Sequence, residues 1–514
     1  MKIKVFLILV FVTQIAVNLV AQQDEKSANY YFKADNYIMA AKLYKKLVDK
    51  NVTNQQFNYR LGISYLNCNT NPPASLEYLK KASPKVKQEP EFLFNLGKAY
   101  LYNSDYKNAK DCFMQCSNKA FKDEDLKKNA ELWYAKVQTA ERMVKTPLNV
   151  EFINMGKNIN SEMDELTPFV TVDDEILLYT TNVKFDRSLN VYTNNVYISN
   201  KTSGIFKKGK SLTAVNSIDD EFMAGISMTD NRIFVQLQGY EGYQDLMESE
   251  RNGKSYKGKN ILGYNVNSEA PEFAACETYS GDTLYFSSGR EGGYGGMDIY
   301  FCLKLPTGEW GIPQNVGDKI NTAYDEDFPV LSRDGKKIYF ASNNPKSMGG
   351  YDIFVSTINS RKEFSTPKNI GYPLNDVYDN KTIAFSKDDR YAYVSAIRPG
   401  GFGSADLYRV VFKDKDPSVK ILIFKFKKQE GESKVDFTGT NKSLKITVYK
   451  KGEEVFGQYS YDSQSSSSTI ALTPGVYSIK ITGYSIEDYT YKVTIPDTPT
   501  GKKIEKKEIV LKSK

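Results

Sequence analysis

The spacing of hydrophobic residues changes once along this 514-residue chain, at about residue 148. Up to about residue 145, apolar side chains recur every three to four positions, which is the period of an amphipathic helix. From there to the end, apolar and polar residues alternate in short runs separated by Gly, Pro, Asn and Asp, the pattern of half-buried strands and turns. The pattern predicts a multidomain chain, with a helical region over residues 24–145 and β-structure over residues 148–413 and 418–514.

The first residues have the pattern of a secretory signal. Lys2 and Lys4 precede the continuous apolar run Val5–Val12, which is too short to span a membrane. We predict a signal peptide over residues 1–21 with cleavage after Ala21, and a retained N-terminal anchor is the alternative. No later stretch approaches the ~20 apolar residues of a membrane helix, so we expect no transmembrane segment after signal removal.

Four positions recur in register in the helical region, at steps of 34 and 35 residues. A small residue is followed three positions later by Tyr, twelve later by Ala and sixteen later by an aromatic. The recurring residues are Ala28, Tyr31, Ala40 and Tyr44, then Gly62, Tyr65, Ala74 and Tyr78, then Gly97, Tyr100, Ala109 and Phe113. This spacing resembles the tetratricopeptide repeat (TPR), a unit of ~34 residues. The resemblance implies an all-α TPR solenoid that binds peptides or partner proteins, with the recurring residues as its core.

A second repeat, with a step of about 50 to 56 residues, fills the first β region. In its clearest copy the turn Ser332–Gly335 precedes the strand Ile338–Ser342, and Gly349–Phe354 forms the next strand. Two further clear copies, and weaker ones at Asp164 and Asp219, bring the count to five. We therefore expect an all-β propeller of five four-stranded blades, with six blades as the alternative. A strand from the start of the region could close the ring.

These copies resemble PD40-type propeller repeats, relatives of WD40 repeats that are also seen in TolB-like proteins, and Trp310–Gly317 is typical of them. Three recurring carboxylates, Asp298, Asp352 and Asp406, are of the residue type that metal sites use. Each clear copy of the repeat contains one of them, and the sequence does not group the three together as a metal site would require. We therefore interpret them as hydrogen-bond acceptors that hold blade turns.

The last region, residues 418–514, has alternating strands. One strand face carries Leu444, Ile446 and Val448, and another carries Tyr477, Ile479 and Ile481. The stretch Leu472–Ile481, a Pro-Gly turn followed by a strand, resembles carboxypeptidase-regulatory-like domains. That resemblance implies a small β-sandwich with a structural or adhesive role, and a secretion-sorting domain is the alternative.

The composition argues against an enzyme. The chain has no histidine, which removes Ser-His-Asp and Cys-His catalysis, histidine bases and histidine metal ligands. No carboxylate pair stands out from the repeats, so carbohydrate-active chemistry based on carboxylates alone is the least favoured alternative. We predict no catalytic, cofactor-binding or metal-binding residues and no cofactor. The residues that bind partners are not identified by the sequence.

Charge and cysteines add little. The net charge of +7 is too small to predict nucleic-acid binding, and most of it lies after residue 412, where 19 lysines face 13 acids. Five cysteines in an exported chain leave at least one unpaired. Cys276 and Cys302 fall in one propeller repeat, and whether they form a disulfide stays open.

The order of signal, TPR region, propeller and sandwich resembles the PorE-type periplasmic proteins of the type IX secretion and gliding machinery. An OmpA-like domain follows the sandwich in that family and is not present after residue 514, so we expect no direct peptidoglycan-binding domain. The resemblance implies a non-enzymatic periplasmic scaffold that binds protein partners of an outer-membrane complex. The alternative is an exported surface protein that binds glycans or proteins.

Overall fold

A computed structural model describes residues 23–514 except residues 70, 83–85, 87–88, 187–190, 203, 240–242, 387–389, 416–418, 441–442, 451–453 and 496–503. The predicted signal peptide and its cleavage after Ala21 lie outside the described residues. In the described part of the chain, no helix combines the length and the hydropathy that crossing a membrane requires.

All the helices of the described residues precede residue 144. They are α1 (23–33), α2 (Tyr37–Lys50), α3 (Gln55–Leu66), α4 (Ser75–Lys80), α5 (Pro90–Tyr102), α6 (Tyr106–Lys119) and α7 (Glu124–Met143). Side-chain caps begin several of them. For example, Asn54 accepts a hydrogen bond from the backbone N–H of Phe57, and Asp123 accepts one from that of Leu126, which satisfies donors that a helix start leaves free.

The prediction of an all-α TPR solenoid is wrong. The chain is mostly β-structure, and its described helices are short and unequal, from 6 to 20 residues. Where the repeat places a second long helix, Pro72–Ala74 form a 3₁₀ turn and α4 has only six residues. Pro72 and Pro73 supply no backbone N–H, so a long helix cannot run through them. Ala74 therefore does not occupy the helical position held by Ala40 and Ala109.

The first β region is a propeller, as the repeat predicted, and its blades are separate antiparallel sheets around one axis. Blade I contains β2 (Glu165–Val170), β3 (Ile176–Asp186), β4 (Val191–Thr202), β5 (Ile205–Phe206) and β6 (Lys210–Ser211). Blade II contains β7 (Asp220–Ile226), β8 (Arg232–Gln238), β9 (Gln244–Asn252), β10 (Ser255–Tyr256) and β11 (Asn260–Ile261). Blade III contains β12 (Glu272–Glu277), β13 (Thr283–Ser288), β14 (Asp298–Leu303) and β15 (Gln314–Asn315). Blade IV contains β16 (Glu326–Leu331), β17 (Lys337–Ser342), β18 (Asp352–Thr357) and β19 (Lys368–Asn369).

Blade V is assembled from both ends of the propeller sequence. Its strands are β20 (Ala384–Phe385), β21 (Tyr391–Ala396), β22 (Asp406–Phe412) and, as the outermost, β1 (Val150–Asn154). β1 pairs with β22 antiparallel, with Val150 opposite Phe412, and so closes the ring. The described residues form five such blades. The predicted turn over Ser386–Asp389 lies largely outside the described residues.

One asparagine at the entry of each blade joins it to the blade before. Its side-chain oxygen accepts a hydrogen bond from a backbone N–H in the third strand of the preceding blade, and its amide donates to the C=O of that same residue, at distances of 2.8–3.0 Å. The pairs are Asn160 with Leu407, Asn216 with Val196, Asn267 with Leu246, Asn321 with Ile299, and Asn375 with Ile353. We call these contacts the asparagine clamps.

The three recurring aspartates hold turns, as predicted. Asp298 accepts hydrogen bonds from the backbone N–H groups of Tyr294 and Gly295 and from the side chain of Asn315. Asp352 accepts the equivalent bonds from Met348, Gly349 and Asn369. Asp406 accepts them from Phe402 and Asn154. Each aspartate thus ties the Gly-rich loop before its own strand to the next strand outward in the same blade.

All five cysteines are buried and free. Cys276 lies on β12 and Cys302 on β14, with β13 between them. Their side chains belong to separate hydrophobic clusters, so they do not form the disulfide that the sequence left open.

The last region is a sandwich of two four-stranded sheets. One sheet contains β23 (Lys420–Glu430), β24 (Ser433–Asp436), β27 (Ser467–Leu472) and β30 (Ile504–Leu511). The other contains β25 (Leu444–Lys450), β26 (Glu454–Ser460), β28 (Gly475–Gly483) and β29 (Ile486–Ile495). The two predicted strand faces meet in one core, since Ile446, Val448, Ile479 and Ile481 are all fully buried there.

We predict that removing one asparagine clamp destabilises the propeller. In Asn321→Ala, the N–H of Ile299 loses its partner in a buried setting and the Ile299 C=O keeps only the Val316 N–H, because Asn321 is only 1% exposed. We expect a loss of about 2–4 kcal/mol in the free energy of unfolding, measured in urea. Asn252→Ala, at an exposed hairpin end, is the control and should change it by less than about 0.5 kcal/mol. Equal effects of the two changes would contradict the clamp.

Buried glutamates should make stability depend on pH. Burial raises the pKa of Glu326 from 4.5 to about 7, although Thr322 and Ser342 donate hydrogen bonds to it. The folded state then holds a proton that the unfolded state releases above its lower pKa. The stabilisation is therefore complete below about pH 4.5 and is lost as the pH rises through 7.

We expect the melting temperature to be lower at pH 7.5 than at pH 5. The decrease should be smaller in Glu326→Gln, because glutamine has no carboxyl group that titrates. Circular dichroism melts at both pH values test this. An equal decrease of the melting temperature in wild type and variant would contradict the assignment to Glu326.

Candidate functional site

The candidate site is a pocket of about 390 Å³ on the propeller axis. In blades I to IV, a glutamate, here called the entry glutamate, lies five residues after the clamp asparagine, and Asn380 takes this position in blade V. Every blade contributes to the pocket the residue that directly follows this position. These five residues, here called the axial ring, are Leu166, Phe222, Phe273, Asp327 and Lys381. The pocket volume is at the lower end of the range of ~300–1,000 Å³ that is usual for small-molecule sites.

Bulges in the innermost strands lie next to the ring residues. The pairing register shifts after Leu166 in β2, after Met223 in β7, after Glu272 in β12 and after Asp327 in β16. A bulge bends its strand and re-aims a side chain, and such bulges are frequent next to functional sites. The strands at this end of the axis therefore present side chains to the pocket in place of a continuous hydrogen-bonded edge.

One side of the axial ring is charged. Asp327 is 3% exposed, and its Oδ1 accepts hydrogen bonds from the Ser287 hydroxyl at 2.6 Å and from the Phe328 N–H at 2.7 Å. Burial raises the pKa of Asp327, and the nearby ammonium of Lys381 opposes that rise. Lys381 lies 4.6 Å from the ring centroid of Tyr351, a cation–π contact that holds it at the rim. The Lys381 ammonium therefore favours the charged form of Asp327 against the effect of burial.

The other side of the ring is apolar and ends in an amide. Leu166, Phe222 and Phe273 are half-buried and line the pocket. Beside them, Gln236 is 7% exposed, and its Nε2 has no hydrogen-bond partner among the described residues. A buried donor without an acceptor is costly, so it marks a place where a bound group could supply one.

The opposite end of the axis is closed. The guanidinium of Arg333 donates from Nη2 to the carbonyl oxygens of Val170 at 3.0 Å and of Phe385 at 2.9 Å, which ties blade IV to blades I and V. Only about 20 Å³ remains there, between apolar side chains from all five innermost strands. The axis is thus a blind pocket that a ligand enters from one end.

Strongly perturbed carboxyls lie within the blades. Burial raises the pKa of Glu165, Glu326 and Asp352 to about 7 in each case. All three occupy repeat positions that accept hydrogen bonds from their own turns, and none lines the axial pocket. Within the described residues, no group of Asp, Glu and Cys side chains is arranged to hold a metal ion.

The helical segment is docked beside the pocket. Leu101, Val137 and Ala140 of the helices pack in one apolar cluster with Met348 and Val377 of the propeller. The buried Lys136 donates from Nζ to the Gly350 carbonyl oxygen at 2.9 Å, and burial lowers its pKa to about 8. Asn69, which follows α3, donates to Asp164 at 3.0 Å and forms part of the pocket rim.

The sequence prediction left the binding residues unidentified, and it missed the axial ring. The prediction used only residues that recur between the repeats, whereas the ring residues differ from blade to blade. A signal was present, because each ring residue follows the fifth position after a clamp asparagine. Variable residues at a fixed offset from invariant ones are the signature of a ligand surface on a repeat scaffold.

Comparison with known proteins shows distant likeness to propeller structures. No family model matches the sequence, and no curated protein matches it. A structure described as TolB from Agrobacterium tumefaciens has 16% identity and a TM-score of 0.31 over 49% of this chain and 77% of that one. A glycosyl hydrolase from Bacteroides ovatus has 11% identity and a TM-score of 0.32 over 49% and 85%. A Trypanosoma rangeli sialidase has 9% identity and a TM-score of 0.34 over 67% and 89%. Values this low carry no functional information for this chain.

We predict that Met348 holds the helical segment on the propeller. Met348→Ala opens a cavity in the shared cluster, because Met348 is fully buried. We expect a loss of about 2–5 kcal/mol in stability and faster amide hydrogen exchange in α6 and α7. Met114→Ala, at a half-exposed position of α6, is the matched control and should change neither quantity. Unchanged exchange in the Met348 variant would show that the helices are held elsewhere.

Proposed function

We propose that the protein is a non-enzymatic adaptor that binds protein partners in a bacterial periplasm, in association with an outer-membrane complex. The observation that carries the proposal is the rigid docking of the helical segment on the propeller. Met348 and Val377 are enclosed by helix side chains, and Lys136 is hydrogen-bonded to the propeller backbone. A partner that binds the helices is thereby held at a fixed place relative to the axial pocket.

The chemistry around the pocket supports binding over catalysis. The Asp327 oxygen that accepts hydrogen bonds is occupied by its own blade and by Ser287 of the preceding blade. Asp379, at the rim, accepts a hydrogen bond from the Tyr351 N–H at 3.1 Å. These hydrogen bonds fix the orientation of both carboxylates, and the chain has no histidine to act as a general base beside them.

The order of helical segment, propeller and sandwich also resembles the PorE-type proteins described above. This supports a role in type IX secretion or gliding, with the protein delivered to the periplasm by its signal peptide. The second candidate is a surface protein that binds glycans or proteins, which the axial pocket would serve equally well. Cell fractionation distinguishes the two locations.

Site-specific photocrosslinking in intact cells tests the adaptor proposal. A photoreactive amino acid would replace one exposed apolar residue at a time, at Met114 or Phe121 beside the helices, at Tyr264 or Tyr279 on the propeller, and at Tyr484 on the sandwich. We expect crosslinks from the helical and propeller positions to outer-membrane complex components, identified by mass spectrometry.

The same variants without irradiation are the control. Recovery of the protein uncrosslinked from every position, or recovery from the culture medium, would overturn the adaptor proposal. Crosslinks from Tyr484 alone would assign partner binding to the sandwich and contradict the role given to helical docking.

A further inference from the structure

The axial pocket has an unused hydrogen-bond donor in its wall. The Nε2 of Gln236 is buried and has no acceptor among the described residues. Gln236 lies on β8, the second strand of blade II, opposite Phe222 of the axial ring. Since most buried polar groups in native proteins are paired, this amide points to a ligand with an acceptor oxygen at that place.

A second unused set of polar atoms faces it across the ring. Oδ2 of Asp327 receives no hydrogen bond from the described residues, because both bonds to this carboxylate go to Oδ1. The Lys381 ammonium contacts the Tyr351 ring and donates no hydrogen bond to any of the described residues. Among the groups that line the pocket are thus one unused acceptor, Asp327 Oδ2, and two unused donors, and the two carboxylates Asp327 and Asp379 outnumber the single ammonium of Lys381.

The remaining wall is aromatic. Phe222 and Phe273 come from neighbouring blades and stay half-exposed in the pocket, although phenylalanine is normally buried. Aromatic rings exposed in a concave site provide flat apolar surfaces for a ligand. The ligand must therefore carry an apolar face as well as oxygen atoms.

We propose that the axial pocket binds the end of an uncharged glycan. Sugar hydroxyls both donate and accept, so different hydroxyls of one sugar can accept from Gln236 Nε2 and donate to Asp327 Oδ2. The C–H face of a sugar ring suits the phenylalanine wall. A neutral ligand suits a pocket with two carboxylates and one ammonium better than a carboxylate-ended peptide does. The blind pocket admits a chain end, because Arg333 closes the far side. This site goes beyond the proposed adaptor function.

Saturation-transfer NMR with purified protein tests the proposal. The probes are neutral hexoses, N-acetylhexosamines, pentoses and their disaccharides at millimolar concentration. A sialic acid and a carboxylate-ended tripeptide serve as charged probes. We expect transfer to at least one neutral sugar, and transfer to the charged probes that is at least about fivefold weaker.

Gln236→Met separates a ligand role from a structural one. The change removes a donor that has no protein partner, so thermal stability should stay equal or rise, while sugar affinity should fall on the order of tenfold. Phe273→Ala should weaken binding by a similar factor. Gln458→Met, at an exposed position of the sandwich, is the matched control and should leave affinity unchanged.

Three outcomes would overturn the inference. They are no transfer to any neutral sugar, sugar binding that Gln236→Met leaves intact, and tighter binding of the tripeptide in a Gln236-dependent manner. If Phe273→Ala fails to fold, Lys381→Met at the rim replaces it as the second test. The assay uses no cellular partner, so its failure and the failure of the adaptor proposal are separate results.

Discussion

The asparagine clamps are the interaction on which the rest of the propeller depends. Each clamp pairs the N–H of one strand residue and adds a second donor to the C=O of that residue, and it does so with a side chain from the next blade's entry. Five clamps link five blades, and Asn160 joins the last blade to the first. The apolar packing between blades has no preferred direction, and the bonds of Arg333 and of Ser287 with Asp327 add further polar links. The clamps fix how far each blade is rotated relative to its neighbour.

The pocket is a consequence of that fixed geometry. Because Asn321 is locked to Ile299, the entry glutamate five residues later and the ring residue Asp327 after it are placed with little freedom. The glutamate accepts hydrogen bonds in the entry turn, Asp327 after it lines the pocket, and the strand bulges directly after Asp327. Structural and ligand-facing residues thus alternate within six positions. The scaffold can hold its shape while the ring residue varies.

How much the sequence revealed follows from which residues repeat. The turn Ser332–Gly335 and the Gly-rich loop before Asp352 recur because the blade needs them, so the propeller was predictable. The helical repeat was misleading for the same reason. Its small and aromatic positions are buried, as Ala40 and Tyr44 show, but burial does not fix helix length. Pro72 and Pro73 limit the helix length in this segment. The axial ring could not be predicted because its five residues, Leu, Phe, Phe, Asp and Lys, share a position in the repeat but have different side-chain chemistry.

The closing strand pair has a mechanical consequence. α7 leads into β1 at Val150, and the sandwich follows β22 after Phe412, so both neighbouring domains are attached at the same end of one antiparallel pair. A pull between them loads this pair one rung at a time, as a zipper, and the first rung is reinforced by Asn149 with Asp414 and by Glu151 with Lys413. Tension would open the ring from its edge toward Asn154 and would reach the Asn160 clamp last. The seam between the two ends is therefore where force transmitted along this chain is first felt.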